Sequence, residues 1–143
     1  NTFDGLDEYV FYLTHLDGEY GGSVDGLKIL NNVAVNGRVY SIETDLPASV
    51  EINHNLVYNP GSSSVRGDYL AYVKGEGNTK DLLEFQAWTG YDLQSISLPP
   101  LFINPLNRNY YLQPISPAID LGKYIGLPFI GTAPDAGAFE YVP

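Results

Sequence analysis

Three short segments, in which apolar and polar residues alternate, recur along the chain and limit the folds open to it. They read GLKILNN at 26–32, SVEINHN at 49–55 and, less regularly, LLEFQAW at 82–88. Such alternation is typical of a strand with one buried face. The second interval is longer than the first because it holds the Gly-, Ser- and Pro-rich stretch 59–68, which predicts an inserted loop.

A second family of strand-like segments alternates with the first. Its members are YVFYLTH at 9–15, VYSIETD at 39–45 and YLAYVKG at 69–75. When they are aligned on Leu13, Ile42 and Val73, each segment has one apolar and one polar face. Two strand families per repeat indicate a coil of strands rather than hairpins, and no stretch of a dozen residues sustains the period of a helix.

Asparagines stand at matching places in these repeats, at Asn1, Asn32 and Asn55. An Asn at a tight turn tolerates a left-handed backbone, and in stacked strands its side-chain amide can bond the amide of the next repeat. The three residues are either such a ladder or ordinary turn asparagines. Their common register favours the ladder.

Charge and composition exclude several classes of partner. The chain has 17 acidic and 7 basic residues, a formal charge of −10, whereas nucleic acids and anionic membranes bind positively charged proteins. A neutral or cation-bearing ligand fits better. No apolar run approaches the ~18 residues of a membrane span, and the chain has no Cys for a disulfide framework. The lack of Met and the first residue, Asn1, lead us to expect a longer parent polypeptide.

The last third of the chain carries motifs with a family resemblance. WTGYDLQSISLPPLFINPLNRNYYLQPISPAIDLG at 88–122 and PDAGAFEY at 134–141, together with the repeated Asn turns, resemble the C-terminal part of right-handed parallel β-helix proteins of the pectate-lyase-like superfamily. The resemblance implies an all-β fold, a right-handed parallel β-helix of few rungs, in a single domain 1–143. Residues 1–100 would form the rungs with the inserted loop, and residues 101–143 the last rung and a C-terminal capping tail.

Such a coil exposes unpaired backbone groups at its ends, so both ends need cover. We expect the tail to cap one end, with Asp120, Asp135 and Glu140 in structural rather than catalytic roles. We expect another chain, or preceding rungs, to cover the N-terminal end.

The resemblance also implies a class of function. Many members of the superfamily are secreted bacterial proteins that act on or bind polysaccharides. The chain would then be the C-terminal portion of a secreted carbohydrate-active protein, a lyase or a glycoside hydrolase, whose ligand is a polysaccharide or glycan. The alternative is a non-catalytic glycan-binding or structural module of the cell surface. Both alternatives predict an extracellular or cell-surface location.

The candidate site lies where the second strand family ends, because outward side chains of neighbouring strands form rows about 4.8 Å apart. The predicted catalytic residues are Glu43, Lys74 and Asp45, and the predicted substrate-binding residues are Tyr12, Tyr72, Glu76 and His15. Lys74 beside Glu43 could be the base of a lyase, and Glu43 with a second carboxylate could be the pair of a hydrolase. Alternatively, Glu43 and Lys74 form a cross-strand ion pair.

Other motifs predict less. No cofactor is expected, and no metal-ligand spacing appears. Calcium is the one ion that the acidic stretch 15–26, with Asp17, Glu19 and Asp25, could hold. Trp88 and Tyr91 could form a sugar-stacking platform or pack against the last rung, and packing is the favoured interpretation.

Overall fold

Short strands dominate the structure, a computed structural model that describes residues 1–6, 8–14, 23–61 and 69–143. The first nine strands are β1 Thr2–Asp4, β2 Tyr9–Leu13, β3 Lys28–Leu30, β4 Val33–Val35, β5 Arg38–Ile42, β6 Glu51–Asn53, β7 Leu56–Tyr58, β8 Ala71–Val73 and β9 Gly77–Thr79. They are followed by helix α1 Leu82–Thr89, strand β10 Phe102–Asn104, a 3-10 turn at Pro105–Asn107 and strand β11 Asn109–Leu112.

These strands form four separate sheets within the described residues. The orders are β1-β4-β7, β3-β6, β2-β5-β8-β9 and β10-β11. The first two sheets are parallel, the third is mixed because β9 runs antiparallel to β8, and the fourth is antiparallel. Strands β1, β2 and β3 each lie at the edge of their sheet, and the polypeptide expected to cover this end stays a prediction.

The parallel pairs keep the alignment read from the sequence. Leu13 pairs with Ile42, and Ile42 pairs with Val73. In the other strand family, Ile29 pairs with Ile52. Alternating apolar side chains therefore set the register of these strands, because a shift by one residue would turn every apolar side chain outward.

The predicted fold class, an all-β right-handed parallel β-helix, is wrong. The described residues form several small sheets, one of them mixed, together with a helix, and no parallel β-helix is seen among them. The third repeat is the cause. After β8, the left-handed glycines Gly75 and Gly77, with φ 91° and 108°, turn the chain back into the antiparallel strand β9.

The segment 82–88 lies in helix α1, although its alternation predicts a strand. Asp81 begins the helix, since its side chain accepts a hydrogen bond from the Leu83 N–H at 2.9 Å. Gly90, with φ 73°, ends it, and the Gly90 N–H donates to the Gln86 carbonyl at 2.8 Å. Helix α1 buries Leu82 and Phe85 in the main core.

Aromatic side chains run through the main core. The ring of Tyr40 stacks on that of Phe85, with centroids 4.9 Å apart, and on that of Phe11 at 5.8 Å. The remaining buried members are aliphatic: Leu82 of α1 and side chains between β2 and β8, among them Ile29, Ile52, Val57 and Leu70. Helix α1 thus supplies a central ring of this core as well as covering it.

A second apolar cluster lies where the C-terminal segment packs on strands β4 and β7. Val33 and Leu56 belong to this cluster together with Phe102, Ala118 and Ala136, and all five side chains are buried. Carboxylates hold the turns of this segment. Asp120 accepts hydrogen bonds from the backbone N–H groups of Thr132 at 2.8 Å and Ala133 at 3.0 Å, and these bonds lower the pKa of Asp120.

Asp135 and Glu140 also accept backbone hydrogen bonds. Asp135 accepts from the N–H groups of Asp120 and Tyr141 at 2.8 and 2.6 Å, and Glu140 accepts from that of Asp135 at 3.1 Å. Each of these three carboxylates therefore has a structural role in the folded tail.

The asparagine ladder is confirmed and extends one step further than predicted. The side-chain amide of Asn1 donates to the Asn32 side-chain oxygen at 3.1 Å, and that of Asn32 donates to the Asn55 oxygen at 3.0 Å. Asn55 then donates to the Asp92 carboxylate at 2.9 Å. Asp92 thus takes the fourth place in the ladder, and it adopts a left-handed conformation with φ 57°. The expected left-handed backbone is not found at Asn32 and Asn55; it occurs instead at the residues before them, Asn31 and His54.

The Asp92 carboxylate is fully buried and incompletely satisfied. One oxygen accepts hydrogen bonds from Asn55 and from the Ser95 hydroxyl, whereas the other oxygen has no partner among the described residues. Burial raises the pKa of Asp92. Burial, together with the negative charge of the neighbouring Asp92, raises the pKa of Tyr40. The Tyr40 hydroxyl and Asp92 are therefore close enough to interact, although in the described part of the chain the hydroxyl has no partner within hydrogen-bond geometry.

We expect Asp92→Asn to raise the free energy of unfolding at pH 7 by about 1 kcal/mol, because it removes a buried charge and keeps an acceptor for Asn55 and Ser95. The folded carboxyl holds its proton to a higher pH than the unfolded one does. Wild-type stability therefore falls as the pH rises from the unfolded pKa of about 4 to the higher folded pKa. Above the folded pKa, the stability lost to the buried charge no longer changes with pH.

Urea denaturation of the two proteins at pH 4 and pH 7 tests this expectation, with the exposed Asp45→Asn as the matched control. The gain from Asp92→Asn should shrink at pH 4, because the raised pKa of Asp92 leaves more of the wild-type carboxyl protonated in the folded protein there than at pH 7. A loss of stability at pH 7, or an effect equal at both pH values, would contradict the assignment of Asp92 as a costly buried charge.

Candidate ligand-binding cleft

A cleft lies between the ends of strands β5 and β8 and the C-terminal end of helix α1. Its cavity volume is about 290 Å³. The lining residues are Ile42, Thr44, Asp45, Leu46, Val73, Lys74, Glu76, Trp88, Thr89 and Tyr91. The cleft combines aromatic and aliphatic side chains with carboxylates, hydroxyls and an ammonium group, so it can contact both apolar and polar parts of a ligand.

Strand pairing positions the charged side of the cleft. The Glu43 N–H donates to the Leu13 carbonyl and the Lys74 N–H to the Ile42 carbonyl, both at 2.8 Å. Lys74 therefore stands directly after β8, beside the end of β5. The glycine turn that follows β8 brings Glu76 into the lining.

The helix end positions the aromatic side. The Thr89 hydroxyl donates to the Phe85 carbonyl at 2.7 Å and accepts from the Tyr91 N–H at 3.2 Å. These bonds and the left-handed Gly90 fix the turn after Trp88. Trp88 and Tyr91 are half-buried against the main core, and burial raises the pKa of Tyr91.

The structure brings together some of the predicted site residues. Asp45, Lys74 and Glu76 line the cleft. Glu43 stands apart from the lining and accepts a hydrogen bond from the Ser41 hydroxyl at 2.9 Å. Although both Glu43 and Lys74 are described, the structure records no ion pair between them.

The predicted tyrosines lie elsewhere on the same sheet. Tyr12 and Tyr72 pair with Ser41 from its two sides, in strands β2 and β8, and neither lines the cleft. His15 lies outside the described residues. Of the predicted inserted loop at 59–68, only residues 59–61 lie within the described residues.

The sequence predicts the lining only in part. Trp88 and Tyr91, expected either as a sugar platform or as packing residues, contact the core and also line the cleft. The sequence does not predict the places of Thr44, Leu46 and Thr89 in the lining. Thr89 could have been found only if the helix had been recognised, because its place depends on the last turn of α1.

The described residues add no support for the calcium site considered at 15–26. Among the described residues, no group of three or more His, Asp and Glu side chains is arranged to hold an ion. Asp25 binds the hydroxyls of Ser23 and Ser49 at 2.5 and 3.2 Å, while Asp17 and Glu19 lie outside the described residues. In the same described part of the chain, no helix is long and apolar enough to cross a membrane.

Searches of family models, of curated proteins and of solved structures find no match to this chain. The resemblance of the C-terminal motifs to the pectate-lyase-like superfamily stays a prediction.

Proposed function

We propose that the protein binds carbohydrate in the cleft formed by β5, β8 and α1. One observation supports this most directly: Trp88 and Tyr91 lie in the same cavity as Asp45, Lys74 and Glu76. A sugar ring has apolar C–H faces, which pack on aromatic rings, and hydroxyl edges, which need hydrogen-bond donors and acceptors. The cleft offers both kinds of surface.

The polar groups suit hydroxyl recognition. The carboxylates of Asp45 and Glu76 accept hydrogen bonds, the Lys74 ammonium donates them, and the hydroxyls of Thr44 and Thr89 can do either. Ile42, Leu46 and Val73 add aliphatic surface to the lining. The exposed lining is nevertheless more polar than apolar, so hydrogen bonds to ligand hydroxyls would supply most of the recognition.

Binding is favoured over catalysis for this chain. A general acid or base usually works from an environment that perturbs it, such as burial or a close charged neighbour. Asp45, Lys74 and Glu76 are exposed to solvent, and Glu43 is directed to Ser41. A non-catalytic glycan-binding module, at the extracellular or cell-surface location expected from the sequence, is therefore the proposed function.

Trp88 makes this proposal directly testable, because it is the single Trp of the chain. Titration with soluble oligosaccharides is expected to change Trp88 fluorescence in a saturable way. Tyr91→Ala should weaken binding about tenfold through the loss of one stacking face. Isothermal titration calorimetry extends the test to Trp88→Ala, for which a similar or larger loss is expected.

The matched control is Tyr124→Ala, which removes an exposed aromatic ring outside the cleft and should leave affinity unchanged. Circular dichroism would show that each variant is folded. If no oligosaccharide binds, or if Tyr91→Ala and Tyr124→Ala behave alike, the proposal is wrong.

A further inference from the structure

The lining of the cleft carries more negative than positive charge. Two carboxylates, those of Asp45 and Glu76, share the lining with one ammonium group, that of Lys74. Among the residues that the structure describes, no other Asp, Glu, Lys, Arg or His belongs to this lining. The third nearby carboxylate, Glu43, follows lining residue Ile42 in the chain and accepts only the neutral Ser41 hydroxyl among the bonds recorded for it.

The charge of the whole chain has the same sign as that of the cleft. The formal charge is −10, so the long-range field also attracts cations and repels anions. A ligand carboxylate would meet one favourable and two unfavourable charges in the cleft, whereas a ligand ammonium would meet the reverse.

The size of the cavity limits the ligand. A volume of about 290 Å³ lies at the small end of the range for ligand pockets, about 300–1,000 Å³. It suits one or two sugar rings rather than a long polysaccharide segment. A ring stacked on Trp88 would then place its substituents within reach of the charged rim.

We infer that the cleft selects sugars by charge, binding amine-bearing units most tightly, neutral units less tightly and uronic acids least. This inference rests on the proposed carbohydrate binding and names its ligand class. The charge preference is the opposite of what direct contact with an acidic pectin-like polymer favours, since carboxylates are attracted by basic groups.

The experiment compares three disaccharides: the β-1,4-linked dimers of glucosamine, glucose and glucuronic acid. Relative to the glucose dimer, the first has an amine in place of the 2-hydroxyl of each ring, and the third has a carboxylate at C6 of each ring. Binding to the intact chain is followed by Trp88 fluorescence at pH 6 and low salt. We expect each change of charge to alter affinity about threefold to fivefold, as for exposed ion pairs. Added salt should reduce these differences, because exposed charges are screened.

Two neighbouring substitutions should act in opposite directions. Glu76→Gln is expected to narrow the preference for glucosamine over glucuronic acid, and Lys74→Gln is expected to widen it. Lys28→Gln, an exposed lysine outside the cleft, serves as control and should change the preference little. A general structural disturbance would not produce effects of opposite sign.

The possible outcomes distinguish a failure of the inferred charge preference from a failure of the proposed carbohydrate binding. If all three dimers bind equally, or glucuronic acid binds most tightly, the charge inference is wrong while carbohydrate binding stands. If none of the dimers binds by fluorescence or calorimetry, both the inference and the proposed function fail. The expected ranking, with opposite effects of Glu76→Gln and Lys74→Gln, supports both.

Discussion

Phe85→Ala is expected to lower the free energy of unfolding by about 3–5 kcal/mol, as large-to-small substitutions in cores do. The Phe85 side chain is 0% exposed and its ring stacks on Tyr40, so truncation leaves a cavity at the centre of the main core. Leu83→Ala is the matched control, because Leu83 belongs to the same helix but is 71% exposed. We expect its effect to stay within about 0.5 kcal/mol.

Urea denaturation followed by circular dichroism measures both variants. The comparison also separates the helix from the strand that the alternation of 82–88 predicts. A strand would direct both Leu83 and Phe85 inward, two residues apart on one face. Similar large losses for the two variants would therefore contradict helix α1, whereas a large loss for Phe85→Ala alone supports it.

The register of the parallel pairs could be predicted from the sequence, and the physical reason is the period of two in a strand. Leu13, Ile42 and Val73 are alternating apolar residues whose burial fixes which face turns inward, and the structure pairs them as aligned. Ladder asparagines could be predicted for a similar reason, since a turn repeated at one register brings equivalent amides together.

The fold class could not be predicted from the repeats alone, because a short apolar pattern suits a helix as well as a strand. In 82–88 the deciding signals stood outside the segment. Asp81 is a favourable N-cap residue and Gly90 a favourable C-cap residue, and together they delimit a helix of eight residues. The predicted β-helix rests on the family resemblance and does not take these two cap residues into account.

The candidate site was predicted in part for the same reasons. Lys74 follows β8 in the correct register, so its place beside the end of β5 could be deduced. The aromatic side of the cleft depends on the rotation of α1, which sets where Trp88 and Tyr91 lie. A prediction that treats this segment as a strand cannot place those rings beside Asp45, Lys74 and Glu76, so it leaves Trp88 and Tyr91 out of the predicted site.

Asn55→Ala is expected to cost about 3 kcal/mol or more, since each unsatisfied buried polar group costs about 1–3 kcal/mol. The buried Asn55 side chain uses its full hydrogen-bonding capacity. Its amide group donates to the Ile29 carbonyl and the Asp92 carboxylate, and its oxygen accepts from the backbone and side-chain N–H groups of Asn32. Alanine would leave the Asn32 backbone N–H and the Ile29 carbonyl without these partners.

Asn55→Ala should also increase the destabilisation caused by the buried Asp92 carboxylate. That carboxylate would keep the hydrogen bond from the Ser95 hydroxyl but lose the one from the Asn55 amide. The destabilisation by Asn55→Ala is therefore expected to be smaller at pH 4 than at pH 7, since protonated Asp92 depends less on donors. Asn78→Ala, an exposed asparagine of β9, is the control and should stay within about 0.5 kcal/mol. A small decrease in the free energy of unfolding for Asn55→Ala would mean that water replaces the four hydrogen bonds of Asn55. The ladder would then contribute little to the stability of the fold.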